Sequence, residues 1–107
     1  MRYAELFGKR VRAIRKAAKI TQEKAAEKAR LNSKYVGEIE RGEKRPSFEA
    51  ILALADALNT SPAALFEFDN EEGNERVLRK KVEVLVNESN LQQLQRIYRI
   101  LMALRDP

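Results

Sequence analysis

Thr21-Gln22-Glu23-Lys24-Ala25-Ala26-Glu27-Lys28-Ala29-Arg30-Leu31-Asn32-Ser33-Lys34-Tyr35-Val36-Gly37-Glu38-Ile39-Glu40-Arg41-Gly42 decides how the rest of the chain folds. The Thr21 hydroxyl can accept from the free N–H groups of a new helix, so a short helix is predicted over Gln22–Ala29. Asn32 or Ser33 offers a second cap, and a helix runs from there to about Arg41, where Gly42 can take positive φ and stop it. The turn between the two is three or four residues long. Ala26 places a small side chain at the centre of the first helix, where a second helix can cross closely. Leu31, Val36 and Ile39 form the apolar underside. Asn32, Ser33, Lys34, Gly37 and Glu38 are left facing away from it.

Working outward, the upstream segment predicts a helix over about Tyr3–Ala18. Leu6, Phe7, Val11, Ile14 and Ala18 recur there at helical spacing. Downstream, Glu43-Lys44-Arg45-Pro46 is a charged loop closed by proline. Ser47 caps a helix through Leu58, with Ile51, Leu54, Ala55 and Leu58 inward. Ser61-Pro62 opens a short fifth helix ending near Phe66. Phe68-Asp69-Asn70-Glu71-Glu72-Gly73-Asn74 is polar and acidic and reads as a linker. The acidic run Glu67, Asp69, Glu71 and Glu72 lacks the spacing of a calcium loop and is read as solvated. Two more helical patterns follow, at about Glu75–Asn87 and Leu91–Arg105. With only 4 glycines and 3 prolines, and many strong helix formers, the chain is read as all-α.

Composition narrows the chemistry. The 107 residues contain no cysteine and no histidine, which removes thiolate nucleophiles, disulfides, the commonest general base and the commonest transition-metal ligand. No phosphate-cradling glycine loop is present. No enzyme, no catalytic residue, no metal and no cofactor is expected. No apolar run is long enough to span a membrane and no secretory signal is visible, so a cytoplasmic location is expected. Charge is lopsided. Residues 1–50 carry 14 basic and 7 acidic side chains, whereas residues 51–107 carry 7 basic and 9 acidic. Such asymmetry points to a polyanion-binding face in the N-terminal half.

Two short helices joined by a tight turn fit the helix-turn-helix plan. The side chains left on the outer face of the second helix can donate or accept hydrogen bonds, as a surface reading base edges requires. From Phe7 to Phe66 the chain resembles the phage repressor/Cro-type helix-turn-helix family, also called the xenobiotic-response-element family. The matching words are Phe7-Gly8, then Val11-Arg12 with Ile14-Arg15; Ile20-Thr21-Gln22-Glu23; Tyr35-Val36-Gly37-Glu38-Ile39-Glu40-Arg41-Gly42; Arg45-Pro46-Ser47; Leu54-Ala55 with Leu58; and Ser61-Pro62 with Leu65-Phe66.

The resemblance implies a five-helix lambda-repressor-like DNA-binding domain with its third helix as the recognition helix in the major groove. It places Asn32, Ser33, Lys34 and Glu38 at base contacts, and Gln22, Arg41, Lys44 and Arg45 at phosphates. It also implies a structural ion pair between Arg15 and Glu40. Two positions depart from the pattern. Arg30 stands where the family usually has glycine, so a turn needing positive φ would be strained. Ala25 stands where it usually has leucine, leaving core volume for Tyr35 or Phe48 to supply.

The expected organisation is a DNA-binding domain over 1–67, a linker over 68–74 and a C-terminal helical dimerisation segment over 75–107. Leu94, Ile97, Leu101 and Leu104 make the stripe of the last helix, expected to pair across a two-fold axis. The chain is thus read as a sequence-specific transcriptional regulator of the repressor type. It is expected to bind a palindromic operator in double-stranded DNA as a homodimer, with contact to RNA polymerase left open. The alternatives are an antitoxin or restriction-modification controller, or a protein-interaction module that has lost DNA binding.

Overall fold

The computed structural model describes residues 2–68 and 73–105. Residues 69–72, most of the acidic run and the centre of the linker read at 68–74, lie outside the described residues, as do 1, 106 and 107. The described chain is all-helical: α1 Arg2–Ala17, α2 Gln22–Ala29, α3 Ser33–Glu40, α4 Phe48–Ala57, a 3₁₀ helix Ala63–Phe66, α5 Glu75–Asn87 and α6 Leu91–Leu104. The short fifth helix is a single 3₁₀ turn. It divides into two compact units, the first ending at Phe68 and the second reaching Arg105.

In the first unit, local chemistry sets each helix start. The side chains of Thr21, Asn32 and Ser47 accept from the backbone N–H groups of Lys24, Lys34 and Ala50 at 3.0, 2.8 and 3.1 Å. Each satisfies a donor that the first helical turn leaves unpaired. The ends of α1–α4 repeat one device. Lys19, Arg30, Gly42 and Asn59 all have positive φ, between 55° and 72°. The N–H after each reaches five residues back, as from Leu31 to the Ala26 carbonyl at 2.8 Å and from Thr60 to the Ala55 carbonyl at 2.9 Å. These are Schellman turns, and only one of the four uses glycine.

Arg30, at φ 57° and ψ 42°, is therefore a long side chain held in the left-handed region. Arg30→Gly is expected to relieve that strain and stabilise the fold by about 0.5–1 kcal/mol. A thermal melt checks it: the midpoint rises by a few degrees, and a fall would show that the Arg30 side chain contributes more than its backbone costs.

The core draws on every element of this unit. Phe7, Val11, Ala25, Ala26, Ala29, Val36, Ile39, Leu54, Ala55, Ala57, Leu58 and Leu65 form one buried cluster. A fully covered side chain such as Leu54 or Leu65 is worth about 1.5–3 kcal/mol. Ile14, Ile20, Leu31, Tyr35, Ile51 and Phe68 pack against it. Tyr35 thus adds bulk to the core that contains the small Ala25, and its hydroxyl accepts from the Ser47 N–H at 3.0 Å. Phe68, where the linker is read to begin, also joins this core. The 3₁₀ helix docks on α1 through Phe7 and Phe66, whose ring centroids are 5.1 Å apart. Arg10 Nε donates to the Ala64 carbonyl at 2.9 Å on the same side.

Helix α1 crosses the C-terminal end of α3 at Gly8. A Cβ there would stand 2.2 Å from the Ile39 carbonyl oxygen and 2.7 Å from that of Glu40. These are backbone atoms that cannot swing aside, so the crossing requires glycine. It also sets how α3 is held.

The second unit is simpler. Asn74 caps α5 by accepting from the Val77 N–H at 3.0 Å. Asn90 and Gln93 form a reciprocal capping box on α6, both bonds at 2.9 Å. Neither helix contains a buried residue.

Candidate nucleic-acid interface

The ion pair that holds α3 lies beneath its surface. Arg15 leaves α1 only 8% exposed and Glu40 closes α3 only 5% exposed. Arg15 Nε and Nη2 donate to the two Glu40 oxygens at 2.7 and 3.1 Å. Its Nη1 donates to the Ile20 carbonyl at 2.8 Å. Gln22 Nε2 donates to Glu40 Oε1 at 3.0 Å. One guanidinium therefore ties α1, the turn after it and the end of α3 together. Among the described residues no buried side-chain polar atom lacks a partner.

Above this network lie the residues read as DNA contacts. Asn32, Ser33 and Lys34 are exposed on the first turn of α3. The Asn32 oxygen is engaged as the cap, which leaves its amide N–H groups pointing from the helix start. Gln22, at the start of α2, is half-buried, and the proton it does not give to Glu40 remains a donor. Arg41, Lys44 and Arg45 are exposed in the loop after α3.

Two carboxylates within this group engage its cations. Glu38 has a side chain only 16% exposed and lies 3.6 Å from Lys44 Nζ. Glu43 meets Arg41 through Nε–Oε2 at 2.7 Å and Nη2–Oε1 at 3.3 Å. The hydrogen bond from Arg41 holds the Glu43 carboxyl below its usual range, and the same bond raises the arginine. Gly37 gives the guanidinium room, since a Cβ there would stand 3.0 Å from Arg41 Nη1 and 3.4 Å from Gln22 Oε1. Neither carboxylate pairing was visible in the spacing of the chain. Arg41 and Glu43 lie two residues apart, but it is the turn at Gly42, with φ 72°, that brings their side chains together.

A short capped helix, held from below by a buried ion pair and presenting small polar side chains flanked by cations, defines a helix-turn-helix module. The helix-turn-helix family model matches residues 11–65, and the chain belongs to that family of transcriptional regulators. It is 43% identical over 58 residues to the immunity repressor protein of Bacillus phage phi105, spanning 54% of this chain but only 40% of that repressor. Among solved structures, it superposes with a TM-score of 0.61 on the restriction-modification controller C.AhdI of Aeromonas hydrophila. That match has 39% identity and covers 62% of this chain and all of the controller. The P22 c2 repressor of a Salmonella phage, solved in complex with a synthetic operator, gives a TM-score of 0.56 and 38% identity. It covers 60% of this chain and 97% of that one. These relatives are regulators and not enzymes.

Proposed function

We propose that this chain is a cytoplasmic, sequence-specific repressor that binds a palindromic operator in double-stranded DNA as a homodimer. The observation that carries the proposal is the first turn of α3. Asn32, Ser33 and Lys34 stand exposed on a helix whose far end is locked by Arg15 and Glu40, with Arg41, Lys44 and Arg45 beside it. In the major groove the three α3 side chains read base edges, with Lys34 donating to the N7 and O6 of guanine. Glu38, whose Oε2 lies 3.6 Å from Lys44 Nζ, keeps acceptor sites for a cytosine amino group. Gln22, Arg41, Lys44 and Arg45 hold phosphates and set the register of the helix. The likeness to an operator-bound repressor supports this assignment. The likeness to a controller protein supports a restriction-modification role by the same DNA chemistry.

Dimerisation is assigned to the second unit. Leu94 and Leu101 are 37% and 60% exposed on α6, beside half-buried Ile97 and Leu104. Tyr98, Ile100 and Met102 widen the apolar surface, and α5 adds Val77, Val82 and Leu85. Soluble chains rarely leave so much apolar surface open. Pairing two copies covers it, and a two-half-site operator calls for two α3 helices about 34 Å apart, one DNA turn.

Selection of bound sequences from a random duplex pool tests the DNA assignment, with an inverted repeat as the expected winner. Sedimentation of the full chain and of residues 1–74 tests the assembly. A dimer and a monomer, respectively, are expected. A monomeric full chain, or a fragment that still dimerises, would move the interface away from α5 and α6.

A further inference from the structure

The face assigned to DNA carries its own anion. Glu43 follows Gly42 in the turn that ends α3. Its N–H donates to the Glu38 carbonyl at 2.9 Å, and that of Gly42 to the Ile39 carbonyl at 3.0 Å. Gly42 has φ 72°, and a Cβ on it would stand 2.7 Å from the Cα of Glu5 in α1. The turn is thus fixed by its own bonds and by packing, and the Glu43 side chain leaves a rigid base. Arg41 approaches from the helix it closes. The two side chains, 56% and 53% exposed, meet as a fork on a pair of oxygens. A phosphate of the DNA backbone presents the same pair of anionic oxygens to a guanidinium. Arg41 cannot offer the same two N–H groups to both.

We propose that Glu43 sets the affinity of the DNA face: its carboxylate occupies the Nε–Nη2 edge of Arg41 in the unbound protein as a phosphate would, so that this edge reaches DNA only by exchanging one anion for the other. Resting on the DNA-binding assignment above, this makes Glu43 a positioning residue that acts through Arg41. The exchange weakens a phosphate contact on that edge by the same amount whatever the sequence. The base contacts of Asn32, Ser33 and Lys34 do not pass through that pair. Sequence-independent binding is therefore suppressed, while discrimination between sequences is kept.

The pair is solvent-exposed, so its effect is modest and reversible. Binding of the full chain to a random-sequence duplex, followed by fluorescence anisotropy over a salt series, tests it. Glu43→Gln is expected to tighten binding about two- to five-fold per protomer. It should also steepen the dependence of log K on log salt by up to about 1 per protomer. In an Arg41→Gln background the same Glu43→Gln change is expected to do nothing, because the residue it acts through is gone. Equal tightening in both backgrounds would show Glu43 to be a general repelling charge and overturn the proposal. Unchanged affinity of Glu43→Gln in the wild-type background would overturn it as well. A wild-type chain that binds no duplex at any salt would instead overturn the DNA assignment, and this proposal with it.

Discussion

Arg15→Ala is expected to destabilise the protein by about 3–5 kcal/mol, the range for removing one partner of a buried ion pair. Both side chains are almost fully covered, and Arg15 makes three donor contacts that alanine cannot replace. The variant leaves Glu40 buried with only the Gln22 amide as donor. It also strips the Ile20 carbonyl of its side-chain partner. For a domain of this size the melting midpoint should fall by at least about 12 °C. Arg15→Lys keeps the charge but not the fork, and should fall between the two. Replacing both partners by apolar residues should cost less than Arg15→Ala, since no charge is then stranded. A melt unchanged by Arg15→Ala would show that the network contributes no stability.

The second large effect is electrolytic. Arg41, Lys44 and Arg45 place three cations at phosphates in each protomer, and six in a dimer. Each phosphate neutralised releases condensed counterions, so raising salt from about 50 to about 200 mM should weaken binding roughly 10²- to 10³-fold, the lower figure where Glu43 offsets Arg41 in each protomer. Anisotropy of a labelled duplex across that range measures it. A flat response would remove the DNA assignment. A slope nearer four cations than six is the result expected where Glu43 offsets Arg41 in each protomer, and Glu43→Gln should restore the difference.

The helices of this chain were legible because their signals are local. Thr21, Asn32 and Ser47 lie within three residues of the N–H groups they cap. The apolar stripes of α1, α3 and α4 recur at three and four residues. The pairing of Arg15 with Glu40 was another matter: it came from resemblance to a family, because nothing in spacing joins residues 25 apart. Arg30 shows the boundary. Its departure from glycine was legible, but that it takes φ 57° follows from how α2 must end before α3 begins.

By itself, then, the sequence determined an all-helical chain, the order and starts of its helices, the basic bias of its N-terminal half and the polar outer face of α3. The charge bias is a matter of composition, and the rest depends on residues within one or two helical turns, where geometry is set by the backbone itself. Tertiary structure alone decided that α1 crosses α3 at Gly8, against the carbonyls of Ile39 and Glu40. It alone decided that Arg15 also reaches Ile20, and that Glu38 and Glu43 turn toward Lys44 and Arg41. Those contacts depend on helix crossing, on side-chain rotamer and on the path of a turn. Distances along the chain do not encode these, because packing selects them only after the helices exist.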